Sequence, residues 1–258
     1  GVLEDVLNSF LRAQRASKKD LFEKENDKGK FYFIKTKSKE IFTKDILIKI
    51  ILNSISSINW KKSMKWSNNS LLWGRPLRSI LAIFKKKILP FTYGHLRSSD
   101  NAIIEKDLIF KNKKVKSFEE YKKFLKSNKI LFNQNERKKK ILDKFHTICK
   151  NKNFKNNFDN YLLEEVVNII EDPNIMLVEF DKKYLEIPNE IIISTLQNHQ
   201  KYFPLFDDKD RLTNYFFVVA NKPDNKNLIK DGNKKVVEAR LSDAKFFWDK
   251  DKSRNLIK

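Results

Sequence analysis

Apolar and polar residues recur along the chain with two different periods, which predict a mixture of helices and strands. Segments in which apolar residues return every three or four positions are typical of helices with one buried face. Seven such segments are predicted: Val2–Ala16, Thr43–Ser57, Ser117–Ser127, Asn133–Cys149, Tyr161–Ile170, Pro188–Asn198 and Gly232–Asp249. Ser117 with Glu120 forms the pattern of a capping box at the third of them.

Runs rich in aromatic and β-branched residues predict strands between these helices. The predicted strands are Lys30–Lys37, Leu77–Phe84 paired with Ile88–Tyr93, two within Ala102–Val115, Ile175–Phe180, and a hairpin of Lys201–Phe206 with Thr213–Ala220. Ser17–Lys28 is polar and is predicted to be a loop with some helix. Helices and strands mix without regular alternation, so the fold class is α+β with mixed or antiparallel sheets, packed helices and no Rossmann domain.

An asparagine-rich polar stretch, Asn151–Asn160, is the best candidate for a boundary between lobes. We therefore divide the chain into an N-terminal α+β lobe, residues 1–155, and a second α+β lobe, residues 156–258. The second lobe ends in a long amphipathic helix.

That last helix contains the first candidate contact, Arg240. Gly232 is interpreted as a break before the helix, with Asp231 or Asn233 as its N-cap. The apolar face comprises Val236, Val237, Leu241, Ala244, Phe247 and Trp248, with Phe246 on the opposite side. Arg240 falls inside that face, where a guanidinium needs an acidic or phosphate partner. Asp243, one turn on, is one candidate partner. Contact with nucleic acid or a partner subunit is the other.

The net charge of +21, from 54 Lys and Arg against 33 Asp and Glu, favours a polyanionic partner. Forty-five of the basic residues are Lys, a pattern that strong A/T codon bias also produces. The candidate contacts to a nucleic acid or a partner subunit are Arg75, Arg78, His199, Lys201, Arg240 and Lys245.

Several of these candidates have a structural alternative. Arg75 and Arg78 flank Pro76 and would hold phosphates or form salt bridges. His199 would bind a base or simply end a helix. The neighbouring Tyr202 and Phe203 would stack on unpaired bases or pack in the sheet.

Catalytic chemistry is not visible in the sequence. The single cysteine, Cys149, excludes an internal disulfide and a cysteine-rich zinc site, and it lies in the apolar pattern of a helix. The three histidines have no metal-ligand spacing. We expect no catalytic, cofactor-binding or metal-binding residue on this chain. With no membrane-spanning run and no signal peptide, a cytoplasmic location is expected.

Several motifs in fixed order resemble the β subunit of bacterial glycyl-tRNA synthetase, the heterotetrameric (α2β2) type. They cover nearly the whole chain, from about Leu3 to Asp249. They are WKKSMKW with GRPLRSILAIF between Trp60 and Phe84, Tyr161–Pro188, IPNEIIISTLQNHQKYFPLF (Ile187–Phe206), NYFFVVAN (Asn214–Asn221) and GNKKVVEARLSDAKFFW (Gly232–Trp248).

The resemblance implies a function for the chain. In this family the α subunit carries the aminoacylation site, where ATP and Mg would bind, and the β subunit supports tRNA binding and assembly. The chain would then be an N-terminal fragment of a non-catalytic subunit of glycine–tRNA ligase, with the α subunit and tRNA(Gly) as partners and no membrane. A class I or class II synthetase core is not expected here.

The sequence departs from the family pattern at three places. Ser79 and Asp172 stand where the family usually has tryptophan, and Ala102–Phe110 stands where its T-x-G-H-R-F motif is expected. Gly94-His95 resembles part of that motif, but the register set by Lys114–Tyr121 excludes it. These departures leave an alternative open: a free-standing RNA-binding protein, or a purely structural module, derived from the same fold.

Overall fold

The computed structural model describes residues 4–35, 42–66, 68, 71–106, 109–155 and 158–253. The chain forms two compact units, Gly1–Asp100 and Asn101–Lys258. The division into lobes at residue 155, made from the sequence, stays a prediction. Parts of four predicted segments lie outside the described residues: Val2 and Leu3, Thr36 and Lys37, Asp107 and Leu108, and Asn156 and Asn157.

The first unit begins with helix α1 (Glu4–Gln14), whose first turn carries Glu4 and Asp5, where acidic side chains favour the helix dipole. A single 3₁₀ turn (Lys18–Asp20) leads into strands β1 (Leu21–Asn26) and β2 (Gly29–Ile34), an antiparallel hairpin. Ser17–Lys28, predicted to be a loop with some helix, contains the 3₁₀ turn, but the prediction is wrong for Leu21–Asn26, which forms a strand. β1 contains only two apolar residues, so its own composition does not predict a strand. It forms a strand because it pairs with β2.

Helix α2 (Thr43–Ser56) begins one residue after Phe42, so Thr43 is inside the helix and is not its cap. None of its residues is buried, although Ile46, Leu47, Ile50, Ile51 and Ser54 are the inward-facing positions by helical periodicity. Periodicity identifies the apolar face of a helix but does not identify what covers it.

Five short strands complete the first unit: β3 (Ile80–Leu81), β4 (Ile83–Phe84), β5 (Lys87–Ile88), β6 (Thr92–Tyr93) and β7 (Leu96–Ser99). β4 and β5 form the predicted hairpin, with Lys85 and Lys86 at its turn. β7 pairs in parallel with β3 and antiparallel with β6. The buried Ser98 hydroxyl donates to the Leu89 carbonyl at 2.7 Å and accepts from the Phe91 N–H at 2.9 Å. These bonds tie β7 to the chain that leads into β6.

The second unit opens with the predicted strand pair, β8 (Asn101–Lys106) and β9 (Ile109–Lys114). Helix α3 (Phe118–Ser127) follows, and the Ser117 hydroxyl accepts from the Glu120 N–H at 3.2 Å. The Glu120 carboxylate accepts from the N–H of Lys116 rather than that of Ser117. The predicted cap is confirmed, with its return bond displaced by one residue.

The centre of the second unit is a three-stranded antiparallel sheet in the order β10–β12–β11, comprising β10 (Asn174–Glu179), β11 (Phe203–Phe206) and β12 (Leu212–Ala220). Helices α4 (Gln134–Lys152) and α5 (Asn160–Ile169) cover one face. Helices α6 (Asn189–Ser194) and α7 (Leu228–Lys252) cover the other. Mixed and antiparallel sheets with packed helices confirm the predicted α+β class.

Alternation along β12 produces a separate core on each face of this sheet. Phe216 and Val218 point into the core that contains Val237 and Leu241 of α7. Phe217 points the other way and stacks on Phe145 of α4 at 4.4 Å between ring centroids. Both faces of this sheet are therefore buried.

Helix α7 starts at Leu228, four residues before Gly232, so the predicted break and both predicted caps are wrong. Leu228 and Ile229 extend the helix upstream, and the Asp224 carboxylate accepts from the Lys230 N–H at 2.8 Å in the first turn. The face that packs on the sheet contains Val237, Leu241 and Ala244. Val236 and Phe247, predicted on that face, are exposed. Phe246 is exposed as well and contacts Phe247 edge-on.

Candidate nucleic-acid interface

The six candidate contacts divide between the two units. Arg75 and Arg78 belong to the first unit. His199, Lys201, Arg240 and Lys245 belong to the second. Each group is therefore described within its own unit.

Arg75 and Arg78 are both exposed, in an irregular stretch that follows Gly74. The Trp60 indole packs beside Gly74, where a Cβ atom would lie 2.9 Å from the ring, and Trp60 contacts the Trp73 ring at 4.7 Å between centroids. The close approach of the indole to the backbone explains a glycine at this position. The tryptophans thus hold the chain that presents the two arginines.

In the second unit, the end of the α6 segment lies against α7. α6 continues into a π-helical turn (Thr195–His199), and His199, the last residue of that turn, is exposed. The Tyr202 hydroxyl donates to the Asn233 side-chain oxygen, and the Asn233 amide donates to the Ile229 carbonyl at 2.6 Å. Asn233 is therefore a link between the two segments and is not a helix cap.

The Arg240 guanidinium also contacts this segment. With the Gln200 amide oxygen turned towards it, Nε donates at 2.8 Å and a terminal nitrogen donates at 3.0 Å. The expectation that Arg240 sits within the buried face is wrong, because its side chain is exposed. The predicted pairing with Asp243 is wrong too, since no such ion pair forms between these two described residues. A neutral amide orients the guanidinium.

Lys201 and Lys245 have acidic partners, unlike Arg240. Lys201 has a positive φ of 58° and its ammonium lies 2.9 Å from the Glu165 carboxylate. The Lys245 ammonium lies 2.6 Å from Glu186 and 3.3 Å from Asp249. The hydrogen bond to Glu186 raises the pKa of Lys245. Within the described ranges, no carboxylate lies within ion-pair distance of Arg240, so its charge is the least compensated of the three.

Tyr202 and Phe203 are core residues rather than stacking platforms. Tyr202 stacks on Phe216 at 5.2 Å, and Phe203 packs edge-on against Phe145 at 4.9 Å. Both are buried. Burial raises the pKa of the Tyr202 phenol, while the nearby Arg240 charge opposes that rise. The packing alternative is confirmed for this pair.

Gln200 and Asn233 orient this surface, a role that the sequence did not predict for either residue. Their contacts join positions about 30 to 40 residues apart, and helical periodicity carries no signal for such contacts. The sequence placed His199, Lys201 and Arg240 in separate elements. The structure brings these three together through Gln200.

The second unit also has a groove of about 790 Å³ beside α4 and the edge strand β10. Charges of both signs line it, Lys139, Lys140 and Lys144 against Glu136, Asp143 and Asp224. A groove lined by acidic and basic side chains in equal number has no electrostatic preference for an anion. Among the residues that the structure describes, no group of three or more His, Cys, Asp or Glu is placed to hold a metal ion. None of the described helices is both long and apolar enough to cross a membrane.

Comparison with known proteins agrees with the motifs. The model of the glycyl-tRNA synthetase beta subunit family matches residues 1–258. The glycine–tRNA ligase beta subunit of Rickettsia felis is 37% identical over 256 residues, which is 98% of this chain and 39% of that protein. The corresponding subunit of Rickettsia prowazekii is 38% identical over 256 residues, 98% of this chain and 38% of that protein.

The chain spans less than two fifths of the length of these relatives. The matched residues include the sheet, α7 and Arg240. The chain therefore belongs to the glycyl-tRNA synthetase β subunit family.

Proposed function

We propose that this chain is part of a glycine–tRNA ligase β subunit and supports the ATP-dependent attachment of glycine to tRNA(Gly). The match of the family model over residues 1–258 carries this proposal. The β chain acts here as a non-catalytic subunit that binds tRNA and assembles with the α subunit. ATP and glycine chemistry take place on the α subunit, in a complex of two α and two β subunits in the cytoplasm.

The charge distribution supports a role in holding tRNA. Residues 1–100 contain 21 Lys and Arg and only nine Asp and Glu, a net charge of +12. Residues 101–258 add a further +9. Phosphate contacts supply most of the affinity of such surfaces, and each one releases counterions. Gln200 orients the Arg240 guanidinium, which has no carboxylate partner among the described residues. Of the candidate side chains, Arg240 is therefore the best placed to bind a phosphate.

Binding of tRNA(Gly) to the full-length β subunit between about 50 and 200 mM salt tests the RNA-binding part of this proposal. We expect the affinity to fall steeply, by an amount that corresponds to several phosphate contacts. A flat binding curve, or no binding at 50 mM salt, would contradict it.

Co-purification of the β subunit with the α subunit tests the assembly role separately. We expect a stable complex with or without tRNA. A purely structural module predicts binding to the α subunit without tRNA binding. A free-standing RNA-binding protein predicts the reverse. The two measurements together therefore distinguish all three hypotheses.

A further inference from the structure

The β1–β2 hairpin has two chemically different faces. The register pairs Phe22 with Phe33 and Lys24 with Phe31, so these four side chains share one face of the ribbon. We name it the phenylalanine face. The opposite face pairs Leu21 with Ile34, Glu23 with Tyr32 and Glu25 with Lys30. Both glutamates of the two strands therefore lie away from the phenylalanines.

The phenylalanine face is open. Phe22, Phe31 and Phe33 keep 40%, 43% and 42% of their surface accessible, although they are neighbours across the ribbon. Leu21 and Ile34, on the other face, are half-buried. The glutamate-bearing face is therefore half-buried only at its Leu21–Ile34 end, while Tyr32 on that face is 39% exposed. Three large aromatic side chains exposed together mark a surface that is covered in use.

The rings are arranged for stacking. Phe22 and Phe33 are 5.9 Å apart between centroids and inclined by 26°, close to parallel. Lys24 stands across the ribbon from Phe31, in the middle of the same face. Flat rings beside a cation are the combination that binds unpaired nucleotides, because bases stack on the rings and a phosphate meets the ammonium.

The charges on and around the phenylalanine face favour a nucleic acid over a protein as its binding partner. The cores of protein–protein interfaces are depleted in lysine, whereas Lys24 is central on this face. The face has no acidic residue, and the unit that carries it has a net charge of +12. A polyanion therefore matches the surroundings of these rings better than an apolar protein surface does.

We infer that the phenylalanine face is a stacking site for unpaired nucleotides of an RNA. This inference rests on the proposed function, in which the RNA is tRNA(Gly), and it adds a contact that the six basic and histidine candidates do not include. Phe31 and the Phe22–Phe33 pair stack on bases. Lys24 neutralises a phosphate between them.

The test uses the full-length β subunit together with its α subunit. The probes are tRNA(Gly) and a single-stranded ten-nucleotide RNA, with affinities measured at one fixed salt concentration. We expect Phe31→Ala to weaken binding of both probes about tenfold, since stacking on one aromatic residue contributes roughly that factor. Phe31→Trp should bind as well as the unaltered protein, because it keeps a flat ring.

Tyr32→Ala is the matched control. Tyr32 is the next residue on the same strand, is 39% exposed and points to the opposite face. We expect its removal to leave RNA affinity within twofold. Lys24→Gln should reduce the slope of log affinity against log salt by about 0.7, the value for one phosphate contact on a single strand. Phe31→Ala should leave that slope unchanged.

Three results would overturn the inference. The first is unchanged RNA affinity in Phe31→Ala. The second is an equal loss in Tyr32→Ala, which would indicate general disruption of the hairpin. The third is weakened association with the α subunit at unchanged RNA affinity, which would make the face a protein interface. If Phe31→Ala fails to fold, Phe31→Leu keeps an apolar side chain without a flat ring and should show the same loss.

If the proposed function itself is wrong, the results for the unaltered protein differ. In that case the unaltered protein binds tRNA(Gly) at no salt concentration and contributes nothing to glycine charging. If the unaltered protein binds tRNA and supports charging while Phe31→Ala does so equally well, only the stacking inference fails.

Discussion

Arg240 and Lys245 lie on the same helix and carry the same charge, but their partners differ. Two carboxylates surround the Lys245 ammonium, while a neutral amide orients the Arg240 guanidinium. A charge that is already paired gains little from a phosphate, because the existing pair must be broken first. An oriented and uncompensated guanidinium keeps its full attraction for a phosphate.

We expect Arg240→Ala to lower the affinity of the β subunit for tRNA(Gly) about tenfold, as loss of one charge-assisted contact would. The exposed side chain contributes little to folding, so the free energy of unfolding should fall by less than about 1 kcal/mol. Titrations of tRNA at fixed salt, with urea unfolding of the same samples, measure both. Lys245→Ala is the control and should change tRNA affinity by less than twofold. Equal losses of tRNA affinity in Arg240→Ala and Lys245→Ala would contradict the difference that we infer between these two side chains.

Cys149 is a core residue, as its helical pattern predicted. Its side chain is 1% exposed and packs beside Phe145 and Leu163 in the core beneath α4. Burial disfavours the thiolate and raises the pKa of this thiol to about 11. The reactive form is therefore scarce at neutral pH in the folded protein.

Labelling with a thiol reagent at pH 8 should consequently be slow in the native protein and should accelerate when denaturant unfolds the second unit. An unfolded cysteine, with a pKa near 8.5, is about a quarter thiolate at that pH. Rapid stoichiometric labelling under native conditions would show that the core around α4 opens readily.

Helix α7 shows, at the scale of elements, what the sequence can and cannot predict. The apolar spacing correctly predicted a helix, and Val237, Leu241 and Ala244 of its predicted face pack on the sheet. Val236 and Phe247 of that predicted face are exposed. Its start was misplaced because a glycine commonly marks a helix end, whereas Gly232 lies in the fifth position of this helix. The cost of an isolated glycine is small, and the upstream Leu228 and Ile229 continue the helix through it.

Gly232→Ala should therefore stabilise the protein. A Cβ atom at this position meets no other atom within 4 Å, and alanine is favoured over glycine in a helix interior. We expect the free energy of unfolding to rise by about 0.5–1 kcal/mol in urea denaturation.

Gly94→Ala is the opposite case. Gly94 has a φ of +59°, and its Cβ would lie 3.0 Å from the Leu71 side chain. This substitution should lower the free energy of unfolding by about 1 kcal/mol or more.

For the first substitution, a destabilising effect of Gly232→Ala would mean that α7 does not run through residue 232.

Elements with regular periodicity were predicted from sequence more reliably than those without it. The strands of the central sheet and the Ser117 cap follow from local patterns, and both are present. β1 was not predicted because its sequence, LFEKEN, has no strand pattern of its own. It is a strand only through its pairing with β2. The surface around Arg240 was missed for the same reason: it depends on Gln200, 40 residues away.

At the scale of the whole molecule, the second unit has a complete core and the first has little. The sheet of the second unit is covered on both faces by helices. In the first unit, α2 has no buried residue and the β1–β2 hairpin exposes three phenylalanines. Exposed apolar side chains of this kind mark contact sites for other molecules, and the phenylalanine face is the one that we propose binds RNA.

The measurement that tests this account most directly is glycine charging of tRNA(Gly) by the α subunit, with and without the full-length β subunit that contains this chain. Charging should require the β subunit, since tRNA binding is assigned to it. It should also fall when Arg240→Ala or Phe31→Ala is present, at subsaturating tRNA. Undiminished charging by the α subunit alone, with a folded β subunit contributing nothing, would contradict the account.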